Sequence, residues 1–388
     1  MRPLAQVLSG KRISAGREWV PSDWTSTRNE TRSDTWRNDT WSTSGAPPTV
    51  DEERAMDDWL IYRGFGAPDP ERIRALPPPP RWRTFGGEPR PYTVPDIDIA
   101  SKRRLGDRVS ELSAHDAETL QLINAALYLR RPLLITGEPG SGKSTLAHSI
   151  AYELGLGRVL QWPIISRTEL KDGLYTYDAI GRLHDAQLAD GQADDIGRYI
   201  RLGPLGTALL PATRPRVLLI DELDKSDIDL PNDLLNVLEE GEFPLPELER
   251  IADRPGRDVV EVLTDDGQRV AVPNGKISCQ AFPVTVLTSN GERDFPAPLL
   301  RRCIHLHLEP PREERLAAFV QAHFGPGADE RNVDLLSRFT RDDGDGELRP
   351  TDQLLNAIFL TQQVTEEGPE RREEIAELLL RPLDTRQR

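Results

Sequence analysis

The sequence predicts an α/β domain with a mainly parallel sheet, preceded by a long irregular arm and followed by a small all-α domain. Three observations predict it. Short apolar runs alternate with helical patterns from about residue 114 to 310. Beyond PPREE, 310–314, only helical patterns remain. Residues 1–105 carry neither period. The expected boundaries are therefore 1–105 for a largely disordered Trp/Pro-rich arm, 106–310 for the α/β domain and 311–388 for the α-helical domain.

Length and charge bound what such a chain can do. Its 388 residues suffice for two or three domains with a sizeable core. Residues 1–105 hold 17 Lys/Arg against 15 Asp/Glu, leaving 32 against 49 in the remainder, a net charge of -17. So acidic a body argues against sequence-independent binding to nucleic acid, which needs a basic face. The two cysteines, Cys279 and Cys303, have no metal or CxxC spacing, so a reduced cytoplasmic chain is expected. The opening MRPLAQVLSGKRISAGREW lacks a signal-peptide core, and no run of 18 apolar residues offers a membrane span.

The arm comes first in the chain. WTSTRNETRSDTWRNDTWSTSGAPP has no period, and PPPP at 77–80 with GGEPRPYTVP at 86–95 extends the irregular run. One short helix is expected within DEERAMDDWLIYRGF, 51–65. Six of the seven tryptophans lie in this third: Trp19, Trp24, Trp36, Trp41, Trp59 and Trp82. Tryptophan is rare in disordered chains and common at interfaces. The arm docks on a partner or neighbouring subunit, or its tryptophans pack on its own globular domain, or they have no role.

The α/β pattern starts with a helix over HDAETLQLINAALYL, 115–129. PLLIT (132–136), RVLQWPII (158–165), VLLID (217–221), PVTVLTS (283–289) and CIHLHL (303–308) read as five strands. Their continuous apolar character fits a sheet covered on both faces. The all-α pattern is carried by RLAAFVQAHF, NVDLLSRFT, TDQLLNAIFLTQQV and REEIAELLL.

Three strand ends carry chemistry. GEPGSGKS, 137–144, fits G-x-x-x-x-G-K-[ST] between a strand and a helix. Glycines let backbone N–H groups curl around phosphate oxygens, Lys143 reaches the β- and γ-phosphates, and the Ser144 hydroxyl binds Mg²⁺. The phosphates also meet the positive end of a helix. The expected ATP contacts are Gly137, Glu138, Pro139, Gly140, Ser141, Gly142, Lys143, Ser144 and Thr145. VLLIDELDKSD, 217–227, ends a strand in two acids. Asp221 is placed to hold the Mg²⁺ shell and Glu222 to deprotonate the attacking water. LTSNGERDFPAPLLRRC, 287–303, ends a strand in Ser289-Asn290, and the short helix after it ends in Arg301-Arg302. Taken alone, those two arginines would only offset a helix dipole.

In this order the elements resemble the AAA+ ATPases, a P-loop NTPase class, and within them the MoxR branch. GEPGSGKST is similar to that branch's GEPG-type loop. LIDELDKSD resembles its DEIN-type segment, with Asp224 where Asn is usual. The resemblance covers about 114–360. It implies that Asn290 is sensor 1, which positions the lytic water. It implies that Arg302 is the arginine finger reaching a neighbouring subunit's nucleotide, with Arg301 beside it at a position often acidic in the branch. In ELRPTDQLL, Arg349 then corresponds to sensor 2, touching the γ-phosphate from the lid. It also implies a ring, usually of six, and a protein client, commonly one with a von Willebrand A domain.

Two segments exceed a minimal ATPase. Residues 170–211 are longer than one crossover helix needs, and VVEVLTDDGQRVAV, 259–272, reads as a β-hairpin. MoxR-like proteins carry insertions at both places, so these are either client-contacting elements or ordinary packing loops. His305 and His307 share a strand face but have no third ligand nearby, so a structural role is expected. The leading expectation is an ATP-hydrolysing ring that remodels a protein partner. The alternatives are a signalling switch recruiting an effector through the arm, and a nucleic-acid-directed motor, which the acidic body disfavours.

Overall fold

The computed structural model describes residues 59–64, 68–89, 94–96, 99–106, 117–188, 195–310, 313–340, 351–363, 374 and 377–380. Trp19, Trp24, Trp36 and Trp41, the first part of the helix expected at 51–65, and Arg349 lie outside them.

Among the described residues eleven strands form, in chain order: β1 Leu133–Thr136, β2 Leu160–Pro163, β3 Tyr175–Tyr177, β4 Ile200–Leu202, β5 Val217–Asp221, β6 Glu242–Pro244, β7 Val259–Leu263, β8 Arg269–Pro273, β9 Lys276–Ser278, β10 Val284–Ser289 and β11 Ile304–His307. The five strands expected from the apolar runs make one sheet in the order β11-β1-β10-β5-β2, every pair parallel. Parallel pairing requires both faces covered, and Val217 through Ile220 are fully buried. Two apolar clusters supply the cover. One contains Leu134, Leu218, Ile220 and Leu287; the other contains Leu133, Ile135, Leu219 and Val286. Neighbours along each strand alternate between them, as the period-2 pleat dictates.

The register brings three strand ends together. Thr136 lies level with Ser289, and Leu287 lies level with Ile220. The loops after β1, β5 and β10 therefore open at one edge, the carboxyl edge where α/β sheets bind ligands.

The two inserted segments do not stand apart. β3 pairs antiparallel with β4, β4 parallel with β7, and β7 antiparallel with β8, giving a second sheet β3-β4-β7-β8. The expected hairpin is present as β7–β8. Its turn is anchored: Arg216, immediately before β5, holds Asp266 at 2.8 Å, both side chains almost fully buried. Thr264 Oγ1 donates to the other Asp266 oxygen, and the Asp265 amide donates to Thr207 Oγ1. Of the two expectations for this segment, the turn at 264–268 follows the packing one.

The described residues between 59 and 105 lie against the α/β core. This differs from the expectation of an arm that is largely disordered to 105. Trp59–Gly64 is not helical either. The Asn124 amide clamps it as a strand would: Oδ1 accepts from the Ile61 and Tyr62 amides, and Nδ2 donates to the Tyr62 carbonyl. The Glu153 carboxylate then accepts from the Arg63 and Gly64 amides. Helical bonding cannot compete with buried partners that take these same amides. Trp59 meets Tyr128 edge to face at 5.4 Å, so this tryptophan packs at home, whereas Trp82 is 74% exposed. Further on, the buried Arg83 donates to the carbonyls of Arg130, Leu238 and Glu239 and lies over the Phe282 ring.

The all-α part contains Glu313–Phe324, Ala328–Arg331, Val333–Thr340 and Thr351–Gln363 around Leu316, Val320, Leu335, Leu354 and Ile358. Of REEIAELLL, residues 374 and 377–379 are described, as helix. Among the described residues no helix is long and apolar enough to cross a membrane.

Candidate functional site

A cavity of about 410 Å³ opens where β1, β5 and β10 end. Pro139 through Leu146 line one side; Asp221, Glu222, Thr288 and Asn290 line another. The structure thus brings the loop, the acidic strand tip and the candidate sensor asparagine to one space.

The loop's shape is set by its glycines. Gly140 and Gly142 have φ of 82° and 90°, the left-handed region that side chains avoid. At Gly137, a Cβ would come within 2.3 Å of the Leu308 carbonyl. Helix Lys143–Glu153 starts directly after Gly142, whose side has no capping group of its own. Its first-turn amides therefore lack a side-chain cap, the arrangement that suits an anion. The Lys143 ammonium donates to the Gly137 and Glu138 carbonyls, each at 2.7 Å, and folds the loop around itself. Burial pulls the Lys143 ammonium below the ordinary lysine range, offset by Asp224 first, then Asp221, Glu222 and Glu138. A phosphate group there would restore the charged form.

Asp221 is the hub of the opposite wall. Its Oδ1 accepts from Ser144 Oγ and from Thr288 Oγ1, each at 2.7 Å. Its Oδ2 receives the weaker Gln161 amide at 3.4 Å, and Gln161 accepts from Arg104 at 2.9 Å. Thr288 Oγ1 also accepts from the Glu222 amide, so it ties the tip of β10 to both acids. Hydroxyl and carboxylate oxygens together are hard ligands of the kind Mg²⁺ takes. The loop amides, the buried lysine and this oxygen pair fit ATP with Mg²⁺. Gly137 and Glu138 meet the site through their carbonyls, while Ser141 Oγ is buried without a partner among the described residues.

Glu222 occupies the left-handed region with φ 60° and ψ 49°. A non-glycine residue held there costs about 1–3 kcal/mol and clusters at functional sites. Its carboxylate is half-exposed and paired with Lys225 at 2.7 Å. That pairing raises the Lys225 ammonium above its ordinary range.

The two arginines lie elsewhere. Arg302 is held outside the cavity by Glu239 at 3.0 Å and donates to the Pro298 carbonyl. Arg301 is exposed, and its carbonyl accepts from Arg131. Arg349 is outside the described residues. Two residues further, Thr351 Oγ1 donates to the Gly140 carbonyl at 2.8 Å, so the all-α domain touches the phosphate loop directly. His305 bonds the Leu300 carbonyl and His307 meets Thr136, and the described residues contain no metal-binding cluster of three. Cys279 and Cys303 are buried free thiols, both pushed up to about 12 by burial.

Several lining residues escaped the sequence reading. Sequence position favours Ser289 and Asn290 at the strand end, but the register that levels Leu287 with Ile220 brings Thr288 beside Asp221. Tyr62 and Gly64 form another wall. Tyr62 is fully buried against Ser149 Oγ at 2.8 Å, and burial raises its hydroxyl above the ordinary tyrosine range. Arg315, Phe319 and Thr351 close the cavity from the all-α side.

Compared with protein-family models, residues 132–303 match the AAA domain of the dynein-related subfamily. The match begins just before β1 and ends just before β11, so all three functional strand ends and the second sheet fall within it. The strap at 59–64 and the all-α part fall outside. No curated protein matches the chain. The fold is that of an AAA domain, and the match supports an AAA+ ATPase, a class that takes ATP with Mg²⁺ and commonly assembles as rings.

Proposed function

We propose that this chain is a MoxR-like AAA+ ATPase that hydrolyses ATP within a ring and uses the cycle to remodel or activate a protein partner. The observation that carries the hydrolytic reading is the bonded set Ser144–Asp221–Thr288 facing the phosphate loop, with Glu222 held in a strained turn beside it. When bound, ATP would supply the γ-phosphoryl group, with ADP as the leaving group, and Mg²⁺ would neutralise charge on the phosphates. In this reading the chain's residues do the rest. Lys143 leaves the loop carbonyls to bond the phosphates. Ser144 and Asp221, bonded to each other at 2.7 Å, would hold Mg²⁺. Glu222 takes the proton of the attacking water, and Asn290 aligns that water. Arg302 leaves Glu239 to stabilise charge on a neighbouring subunit's nucleotide, with Arg301 as its alternate. Arg349, two residues before Thr351 in the sequence, would report the γ-phosphate to the lid. The branch and a von Willebrand A-type client rest on the loop and acidic-segment resemblance.

A second reading, a switch that recruits an effector through the arm, draws on one observation. Tyr62 and Gly64, which follow the arm in the sequence, line the cavity, so a nucleotide bound there would meet the segment that comes directly after the arm. Nucleic acid is disfavoured by the net charge of -15.

Mixing subunits tests the ring. Arg302→Ala and Glu222→Gln are each expected to be inactive alone, and mixtures to regain turnover at interfaces that pair an intact Glu222 with an intact Arg302. No recovery at any ratio would contradict a finger acting between subunits. Glu222→Gln held with ATP and Mg²⁺ in its native cell is expected to retain the client; nucleic acid surviving moderate salt would overturn the protein-partner reading.

A further inference from the structure

Asp224 has no bonding role in the chemistry assigned above, only a charge that favours the Lys143 ammonium, yet it is one of the few buried acids among the described residues, 3% exposed. It lies in the single turn Leu223–Lys225 that follows β5. Its Oδ2 accepts from the Asn290 amide at 2.9 Å and from the Glu292 amide at 3.1 Å. Its Oδ1 is buried with no partner among the described residues.

These bonds sit where the sheet stops holding the site. β10 and β5 are in register from Val284 with Val217 to Leu287 with Ile220. Beyond that pair, β10 stays level only with β1, through Ser289, and the chain then turns away at Gly291, whose φ is 79°. Nothing in the ladder then fixes Asn290 relative to Glu222. Side chains take over the alignment: Thr288 bonds the Glu222 amide, and Asp224 bonds the Asn290 and Glu292 amides. A carboxylate accepting two backbone N–H groups makes charge-assisted bonds, roughly twice as strong as neutral ones. It also acts from the same turn that carries Glu222, so the two tips move as one unit.

We propose that Asp224 is a positioning residue for hydrolysis: by accepting the Asn290 and Glu292 amides it fixes the candidate sensor asparagine against Glu222. The inference rests on the hydrolytic reading of the site. Asp224 neither lines the cavity nor bonds the phosphate loop; it reaches Lys143 only through its charge, and a bound phosphate would itself hold that ammonium charged, so its loss acts on turnover far more than on nucleotide binding.

The test compares the full chain with Asp224→Ala and Asp224→Asn. It measures turnover at saturating ATP and the affinity for a fluorescent ATP analogue. Asp224→Ala is expected to lower kcat by about 10- to 100-fold, the effect of a roughly 1 Å misplacement of a catalytic group. Its nucleotide affinity should stay within about threefold of wild type, the pattern of an interaction used only in the transition state. The Asn carbonyl can accept the same two amides, so Asp224→Asn should recover most of the turnover. Unchanged kcat in Asp224→Ala, equal losses in the two variants, or affinity falling in parallel with kcat would each overturn the proposal. Wild-type protein without turnover would instead sink the hydrolytic reading itself. Should Asp224→Ala not fold, amide exchange of Asn290 and Glu292 in wild type and Asp224→Asn decides. Protection in both supports the tie; loop-like exchange in wild type contradicts it.

Discussion

The two ends of β5 carry two ionic clusters that look alike on paper and behave in opposite ways. At the amino end, Arg216 and Asp266 pair at 2.8 Å with side chains 1% and 0% exposed. Backbone and hydroxyl groups surround them: the Arg158 carbonyl accepts from Arg216, and Thr264 donates to Asp266. At the carboxyl end, Asp221 gathers Ser144 and Thr288 while facing a cavity that a lysine, a glycine loop and a strained glutamate also face. The first cluster is closed on itself and fastens the second sheet to the core sheet. The second is open toward a ligand. Residue type does not separate them; access and backbone strain do.

Five changes probe that contrast. The largest effect is expected at the open end. Glu222→Gln should lower turnover by about 10²–10⁴-fold, the usual contribution of a positioned base, with ATP binding kept. Phosphate release alongside nucleotide binding checks it; near-normal turnover would move the base elsewhere. At the closed end, Arg216→Ala removes the buried cation paired with Asp266 and should destabilise the fold by about 3–5 kcal/mol, read by denaturant unfolding. Replacing both partners with Met and Leu should recover most of that loss, because a buried pair has little net advantage over apolar packing. If the single and double changes destabilise equally, the pair is more than a fastening.

The strap tests the region between these extremes. Asn124→Ala removes the partners of the Ile61 and Tyr62 amides and should cost about 1–3 kcal/mol for each polar group left buried. Since Tyr62 and Gly64 line the cavity, ATP affinity should weaken as well; intact affinity would mean that the strap only covers the core. The smallest effect is expected at Glu239. Its pairing with Arg302 is about half-exposed on both sides, so Glu239→Ala should change stability by less than about 1 kcal/mol.

How much of this could be read beforehand follows the same physics. The five core strands were legible because burial on both faces leaves unbroken apolar runs such as VLLI, 217–220. The phosphate loop and the Asp221-Glu222 pair were legible because their spacing is local. What escaped depends on distant partners. β3 and β4 are three residues each and pair across more than twenty residues, so no period announces them. Trp59–Gly64 offered apolar residues beside acids and read as a helix, until Asn124 and Glu153, more than 60 positions away, took its amides. Thr288 was hidden because register, not composition, decides which of three neighbouring polar residues faces Asp221.

The central claim is that the open end of β5 is a hydrolytic ATP site. The most direct measurement is ATP turnover and ATP binding by the full chain with Mg²⁺, beside Lys143→Ala. The account predicts measurable turnover in the wild type, with both binding and turnover lost in Lys143→Ala. Tight ATP binding retained without Lys143 would contradict it.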